Sequence, residues 1–250
     1  MSASAEPLAE PAGSDPTLEA LGRAALYRAL AHALAYPTAD RVARALASVR
    51  ARLAAAPLAA PLHDALVAVA AAFERADREA LAAEHVRLFG PAGGAPLHET
   101  AYGDAGRMLG RSAQLADISG FYLAYGLDPT TSEPLPEDHL LLELEFMSIL
   151  GLKEAYARNE GFDDPLAITV DAQRKFLGEH LGTWLDGWLA ALATAEAGAL
   201  HLALATLVRD VVRDDCARLG VVPHVITHRA VDIDMGGDAV VCPHASPAEA

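Results

Sequence analysis

The spacing of apolar residues is the feature that most limits how this chain can fold. Between its prolines and glycines, the chain repeats apolar side chains every three to four residues, as amphipathic helices do. The predicted helices span residues 18–34, 39–53, 61–75, 77–89, 112–125, 138–159, 166 or 169–195, and 198–219. Residues 221–225 and 239–241 have the composition of strands, but both are too short to build a sheet. The sequence therefore predicts an all-α protein.

A proline-rich segment at residues 128–136 divides the predicted helices into two groups. Its prolines and small polar residues are typical of a linker. We therefore predict a bundle of two lobes, an N-terminal helical lobe at residues 18–127 and a C-terminal helical lobe at residues 137–220, joined by a hinge at 128–136. Residues 1–17 are rich in Ala, Pro, Ser and acidic side chains, which predicts a disordered tail. Residues 221–250 are predicted to form an irregular C-terminal tail.

Composition and charge exclude several classes of partner. The chain has 250 residues, of which 52% are hydrophobic, and this is enough for a packed core. Its net charge of -15 repels nucleic acids and anionic lipids but attracts basic peptides and cations. Two cysteines, Cys216 and Cys242, are too few for a disulfide scaffold. The first residues lack the order of basic and apolar regions of an export signal. We expect a cytoplasmic protein with no nucleic-acid partner and no stable membrane association.

Residues 136–148 place polar side chains at the start of a strongly apolar helix. Glu137 and Asp138 suit the positive end of the helix dipole, and His139 and Glu143 lie one turn apart on one face. The rest of this segment is mostly Leu, Phe and Met. A polar rim beside an apolar pocket is one interpretation of this pattern. The other is that His139 and Glu143 form a satisfied polar pair in the core of a bundle.

Five motifs together resemble, in order and spacing, the TorD/DmsD/NarJ family of molybdoenzyme maturation chaperones. They are EHVRLFGP at 84–91, PLHETAY at 96–102, FYLAYGL at 121–127, EDHLLLELEFM at 137–147, and FLGEHL at 176–181 followed by Trp184. The similarity covers roughly residues 20–220, and several motifs in order are more specific than any one of them.

This resemblance implies a TorD-like helical fold and a cytoplasmic chaperone that is not an enzyme and needs no cofactor of its own. Its partner would be the catalytic subunit of a molybdenum-cofactor oxidoreductase. The chaperone would bind the twin-arginine signal peptide of that subunit and support cofactor insertion before export.

The resemblance also implies which residues bind the peptide. The family motifs carry over to Leu88, Phe89, Pro96, Leu97, Glu99, Tyr102, Asp138 and His139. A twin-arginine signal combines two guanidinium groups with an apolar stretch, so its receptor needs carboxylates at one end of an apolar groove. Glu143 joins the predicted site as a further carboxylate, and Tyr122 joins it as part of the apolar groove. Taken singly, Phe121, Tyr122 and Tyr125 are equally explained as core residues. The sequence departs from the family at Glu137, where many members have proline.

Two hypotheses from other classes stay open. The C-terminal tail and the end of the helix before it contain residue types that bind zinc, although their spacing fits no standard zinc finger; they are Cys216, His224, His228, Cys242 and His244. The alternative function is a metal-binding or di-iron enzyme built on the helical bundle. Such sites use Glu-x-x-His repeats, and no Glu in this chain has His three residues later. His180 and Trp184 are most simply explained as a packed helix face.

The proline-rich hinge leads to a prediction about oligomeric state. The same contacts between lobes can form within one chain or between two chains, so we expect a monomer with a minor domain-swapped dimer. Size-exclusion chromatography with light scattering on dilute, freshly purified protein measures this distribution. A dimer whose fraction does not change with concentration would contradict the prediction.

Overall fold

A computed structural model describes residues 15–55, 58–103, 108–127 and 135–230, and in these ranges the chain forms nine α-helices and no sheet. They are α1 (Pro16–Leu34), α2 (Ala39–Ala54), α3 (Ala60–Arg75), α4 (Arg78–Phe89), α5 (Met108–Ala124), α6 (Leu140–Glu160), α7 (Asp163–Phe176), α8 (Gly182–Thr194) and α9 (Ala199–Leu219). The all-α prediction is confirmed. Across the described ranges, every helix is too short or too polar to cross a membrane.

The helix boundaries differ from the predicted ones at two instructive places. Helix α1 begins at Pro16, with the Asp15 carboxylate accepting a hydrogen bond from the Thr17 backbone amide. An aspartate cap followed by proline starts a helix well, so Asp15 caps α1, and residues 16 and 17 of the predicted tail belong to that helix. The single helix predicted to end at residue 195 is instead α7 and α8, joined by a π-helical turn at Leu177–Leu181.

Helices from both sides of the predicted hinge pack into one hydrophobic core. Helix α1 packs along α6, and α3 packs against α9. Buried side chains from all of these helices belong to one cluster. Most of the predicted hinge lies outside the described residues, as do residues 1–14, so the hinge and the division into two lobes stay predictions.

The segment after α9 runs over the surface of α8 without forming a strand. The amide of Ile226 donates to the Thr183 carbonyl at 2.7 Å, and the Ile226 carbonyl accepts from the Gly187 amide at 3.0 Å. The Gly103 amide donates to the His228 carbonyl at 3.0 Å. Residues 221–230 are therefore attached to the body of the protein. The strand-like residues 239–241 lie outside the described ranges.

The close contact between α1 and α6 depends on small residues. A Cβ atom built at Gly151 on α6 would lie 3.0 Å from the Ala24 Cβ and 3.2 Å from the Ala24 backbone on α1. Nearby, the Ser148 hydroxyl donates to the Ala24 carbonyl at 2.8 Å. Neither helix can move closer, and a larger side chain at this point would force them apart.

This packing predicts that Gly151→Val lowers the free energy of unfolding by about 1–3 kcal/mol, because added methyl groups meet the backbone of α1. Gly120→Val on α5 is the matched control, since a Cβ there meets nothing within 4 Å. We expect the control to change stability by less than about 0.5 kcal/mol. Chemical denaturation measures both variants, and equal stabilities would contradict the packing argument.

Candidate functional site

Two of the sequence motifs meet through a short antiparallel backbone pairing. The Leu140 amide donates to the Leu97 carbonyl at 2.9 Å, and the Glu99 amide donates to the Asp138 carbonyl at 3.0 Å. His98 and His139 form the bridge between these hydrogen bonds. The motif at 96–102 is thereby joined to the start of α6, which brings most of the predicted site residues into one region.

The buried side chain of Asp138 stabilises this pairing. Its side chain is fully buried, and its Oδ2 accepts hydrogen bonds from the Thr100 amide at 3.1 Å and the Thr100 hydroxyl at 2.6 Å. Its Oδ1 lies 3.5 Å from Nδ1 of His98. Burial opposes ionisation, but the His98 imidazole and the Thr100 hydrogen bonds outweigh it and lower the pKa of Asp138 to about 2. Asp138 is therefore an ionised, inward-facing group.

His139 caps helix α6. Its Nδ1 accepts a hydrogen bond from the Leu141 amide at 3.2 Å, which requires that nitrogen to be unprotonated. Burial and the nearby His98 imidazole lower the pKa of His139 to about 3. The ring is neutral at physiological pH and packs edge-on against His98, with centroids 5.1 Å apart.

Glu99 and Glu143 form a buried acid pair. Both side chains are fully buried. Glu99 Oε1 accepts a hydrogen bond from Gln114 and lies 3.2 Å from Nδ1 of His180, while Glu143 Oε2 accepts from the Trp184 indole at 3.2 Å. Burial, the charge of Glu99 and a hydrogen bond to Glu99 raise the pKa of Glu143 well above its usual range. Glu99 Oε2 and Glu143 Oε1 otherwise have no hydrogen-bond partner. A proton on Glu143 lets these two oxygens share a hydrogen bond.

Three predicted contact residues lie in the core behind this region. Leu88, Tyr102 and Tyr122 are all buried. The Tyr102 hydroxyl donates to the carbonyl of half-buried Pro96 at 2.9 Å, and the Tyr122 hydroxyl donates to the Glu137 carbonyl at 2.9 Å. For Tyr122 the structure therefore agrees with the core interpretation, and Leu88 and Tyr102 are buried to the same degree.

Phe89, Leu97 and His139 line an open cavity of about 460 Å³ between the end of α1, the start of α2, helix α4 and the start of α6. We call this cavity the candidate groove. Its remaining walls are formed by Ala31, His32, Leu34, Ala35, Tyr36, Arg41, Arg44, His85, Leu135, Leu141, Leu142 and Glu145. The ten predicted site residues thus divide into three that line the groove and seven that lie beside or behind it.

The imidazoles of the candidate groove contribute no positive charge at neutral pH. Burial, with smaller contributions from His201 and Arg41, lowers the pKa of His85 to about 4. Burial also lowers the pKa of His32. His85 packs edge-on against Phe89 with centroids 4.9 Å apart. The groove therefore presents an apolar and weakly polar lining with separate charged groups.

Sequence reasoning missed several groove residues. His85 and Glu145 lie inside recognised motifs, so their motif membership was a usable signal. Tyr36, Arg41 and Arg44 lie in no motif, and the α1–α2 junction brings them to the groove only through tertiary packing.

The two metal hypotheses have different outcomes among the described residues. Cys216 is buried in α9, and burial raises its pKa to about 11. Cys242 and His244 of the predicted tail cluster lie outside the described ranges.

Within those ranges, one group of three ligand side chains lies close enough for a metal ion, namely Asp117, Glu179 and His180. This is fewer carboxylates and histidines than a di-iron site uses. His180 and Trp184 are both buried, as a packed helix face predicts, and His180 also contacts Glu99.

Comparisons with known proteins agree with the motif analysis. Residues 52–190 match the family described as nitrate reductase delta subunit. The chain is 33% identical over 120 residues to the chlorate reductase assembly chaperone protein of Ideonella dechloratans, covering 48% of this chain and 61% of that protein. It is 27% identical over 118 residues to the chaperone protein TorD of Vibrio cholerae serotype O1 strain M66-2, covering 47% of this chain and 51% of that protein.

A third relative is the selenate reductase assembly chaperone protein of Thauera selenatis, which is 33% identical over 108 residues, or 43% of this chain and 54% of that protein. The matches therefore span about half to three fifths of the length of these relatives.

The buried acid pair predicts how stability depends on pH. Folding raises the pKa of Glu143, so its proton stabilises the fold at low pH, and this stabilisation is lost as the pH rises from about 4.3 through the folded pKa. Glu143→Gln places an uncharged amide beside Glu99, Trp184 and Asp138. We expect the free energy of unfolding of the variant, minus that of the wild type, to increase with pH.

Urea denaturation at a series of pH values measures this difference. Glu160→Gln, at the exposed end of α6, is the control and should follow the wild-type profile. Parallel profiles for Glu143→Gln and the wild type would show that folding does not raise the pKa of Glu143.

Proposed function

The chain belongs to the nitrate reductase delta subunit family, and from this premise we propose that it is an assembly chaperone for the catalytic subunit of a molybdenum-cofactor oxidoreductase. Two of the relatives are named as reductase assembly chaperones and another as the chaperone protein TorD, and the motif resemblance to the TorD/DmsD/NarJ family supports the same class. The protein is then a non-catalytic binding protein. More specifically, we propose that it binds the twin-arginine signal peptide of that catalytic subunit, its client, in the cytoplasm. It would hold the client while the cofactor is inserted before export.

The candidate groove is the observation that supports peptide binding. Its volume of about 460 Å³ is large enough for several apolar side chains, and it opens to the surface between α1 and α6. Phe89, Leu97 and Leu141 supply apolar contact area, and the neutral His139 and His85 add little charge. An apolar stretch of a peptide fits such a lining.

The carboxylates of the site divide between two roles in this proposal. Glu145 lines the groove and can meet a client guanidinium. Glu99, Asp138 and Glu143 are fully buried, so they hold the groove wall in place and reach a client only after the pairing at 97–99 opens. Arg41 and Arg44 also line the groove, so it holds cationic groups as well as the Glu145 carboxylate.

Phe89→Ala tests the groove. We expect this variant to weaken binding of a synthetic peptide with two consecutive arginines and a following apolar stretch by at least about tenfold, because a half-buried aromatic ring is a large part of the contact area. Val86→Ala on the same helix is the control, since Val86 is 54% exposed and does not line the groove. Calorimetric titration measures affinity, and thermal melts of the same samples show whether stability changes.

The expected combination is a small change in melting and a large loss of binding for Phe89→Ala, with the control unchanged. Glu145→Gln should also weaken binding, and by less at high salt, because salt already screens the wild-type contact. Undiminished affinity in Phe89→Ala and Glu145→Gln would remove the groove from the proposal. A wild-type protein that binds the apolar peptide equally well without its arginines would remove the twin-arginine preference.

A further inference from the structure

Three side chains from two elements converge next to the buried acid pair. Asp117 lies on α5, and Glu179 and His180 lie in the π-helical turn at Leu177–Leu181. One ligand atom from each lies within 4.8 Å of the others, and His180 Nε2 is 3.3 Å from Asp117 Oδ2. An imidazole and two carboxylates are ligands that divalent transition-metal ions such as Zn²⁺ accept.

His180 itself gives a second indication of a ligand. Its side chain is only 3% exposed, and its buried Nε2 makes no hydrogen bond, although it lies 3.3 Å from Asp117 Oδ2. A buried nitrogen without a hydrogen bond is unfavourable unless something binds it. Because this nitrogen is directed towards Asp117, an ion between His180 and the two carboxylates would satisfy it.

Glu99 orients the histidine for this role. Glu99 Oε1 lies 3.2 Å from Nδ1 of His180, so the ring donates its Nδ1 proton to Glu99 and keeps the Nε2 lone pair free. Carboxylates behind metal-bound histidines act in the same way, by fixing the ring and its tautomer. The π-helical turn that carries Glu179 and His180 is also a type of distortion found frequently at functional sites.

The competing state is a protonated His180 held between carboxylates. Burial lowers the pKa of His180, but Glu99, Asp117 and Glu179 outweigh it and raise that pKa. A proton and a metal ion compete for the same position at Nε2.

We propose that Asp117, Glu179 and His180 form a binding site for one divalent transition-metal ion of the Zn²⁺ type, with Glu99 as a positioning residue. Three protein ligands leave coordination positions for water or for a group of another molecule. The site is separate from the candidate groove and does not depend on the proposed chaperone function.

Two conservative variants test the site without disturbing the core. Asp117→Asn and Glu179→Gln each remove one exposed carboxylate, and Glu160→Gln removes an exposed carboxylate elsewhere. Metal-free, full-length protein is titrated with Zn²⁺ by calorimetry, and Co²⁺ replaces Zn²⁺ to give visible absorption bands that report the ligand set. We expect Asp117→Asn and Glu179→Gln each to weaken Zn²⁺ binding by at least about tenfold and to change the Co²⁺ spectrum.

We expect Glu160→Gln to bind Zn²⁺ as the wild type does. Two results would overturn the proposal. One is a wild-type protein that binds no Zn²⁺, which would leave His180 as a protonated partner of Glu99 and Asp117. The other is Zn²⁺ binding of wild-type strength and Co²⁺ spectrum in both ligand variants, which would place the ion elsewhere in the chain.

Discussion

The contact between α1 and α6 is the constraint on which the candidate site depends. Gly151 and Ala24 let the two helices approach until backbone and Cβ atoms touch, and Ser148 adds a hydrogen bond between them. This contact sets the position of α6 relative to the end of α1. Tyr36, just beyond α1, and His139, at the start of α6, thereby line the same groove.

Burial of charge explains why the motif residues have the partners they have. A carboxylate inside an apolar core is tolerated when hydrogen bonds compensate for the lost water, or when it carries a proton. Asp138 takes the first route through Thr100, and Glu143 takes the second beside Glu99. The Asp138 hydrogen bonds join the 96–102 segment to the residues just before α6, and the acid pair joins Glu99 to α6 itself. The residues that define the motifs therefore build the groove wall, and other residues supply much of its surface.

Glu99 links the two parts of this region. Its backbone amide pairs with the Asp138 carbonyl behind the candidate groove, and its side chain contacts Glu143 and His180. Glu99 therefore contacts both the backbone pairing near the candidate groove and one residue of the proposed metal site.

Apolar periodicity along the sequence determined the helices and the all-α class, because each amphipathic stripe is a local property of its own segment. The motifs were sufficient to identify the family. Periodicity did not reveal the π turn at Leu177–Leu181, since one wider turn hardly alters the apolar pattern. Burial of Asp138 and Glu99 was decided only by the tertiary structure, because their partners are supplied by segments distant in the chain. The same is true of Arg41 at the groove, which reaches it through the packing of α2 against α1 and not through any local pattern.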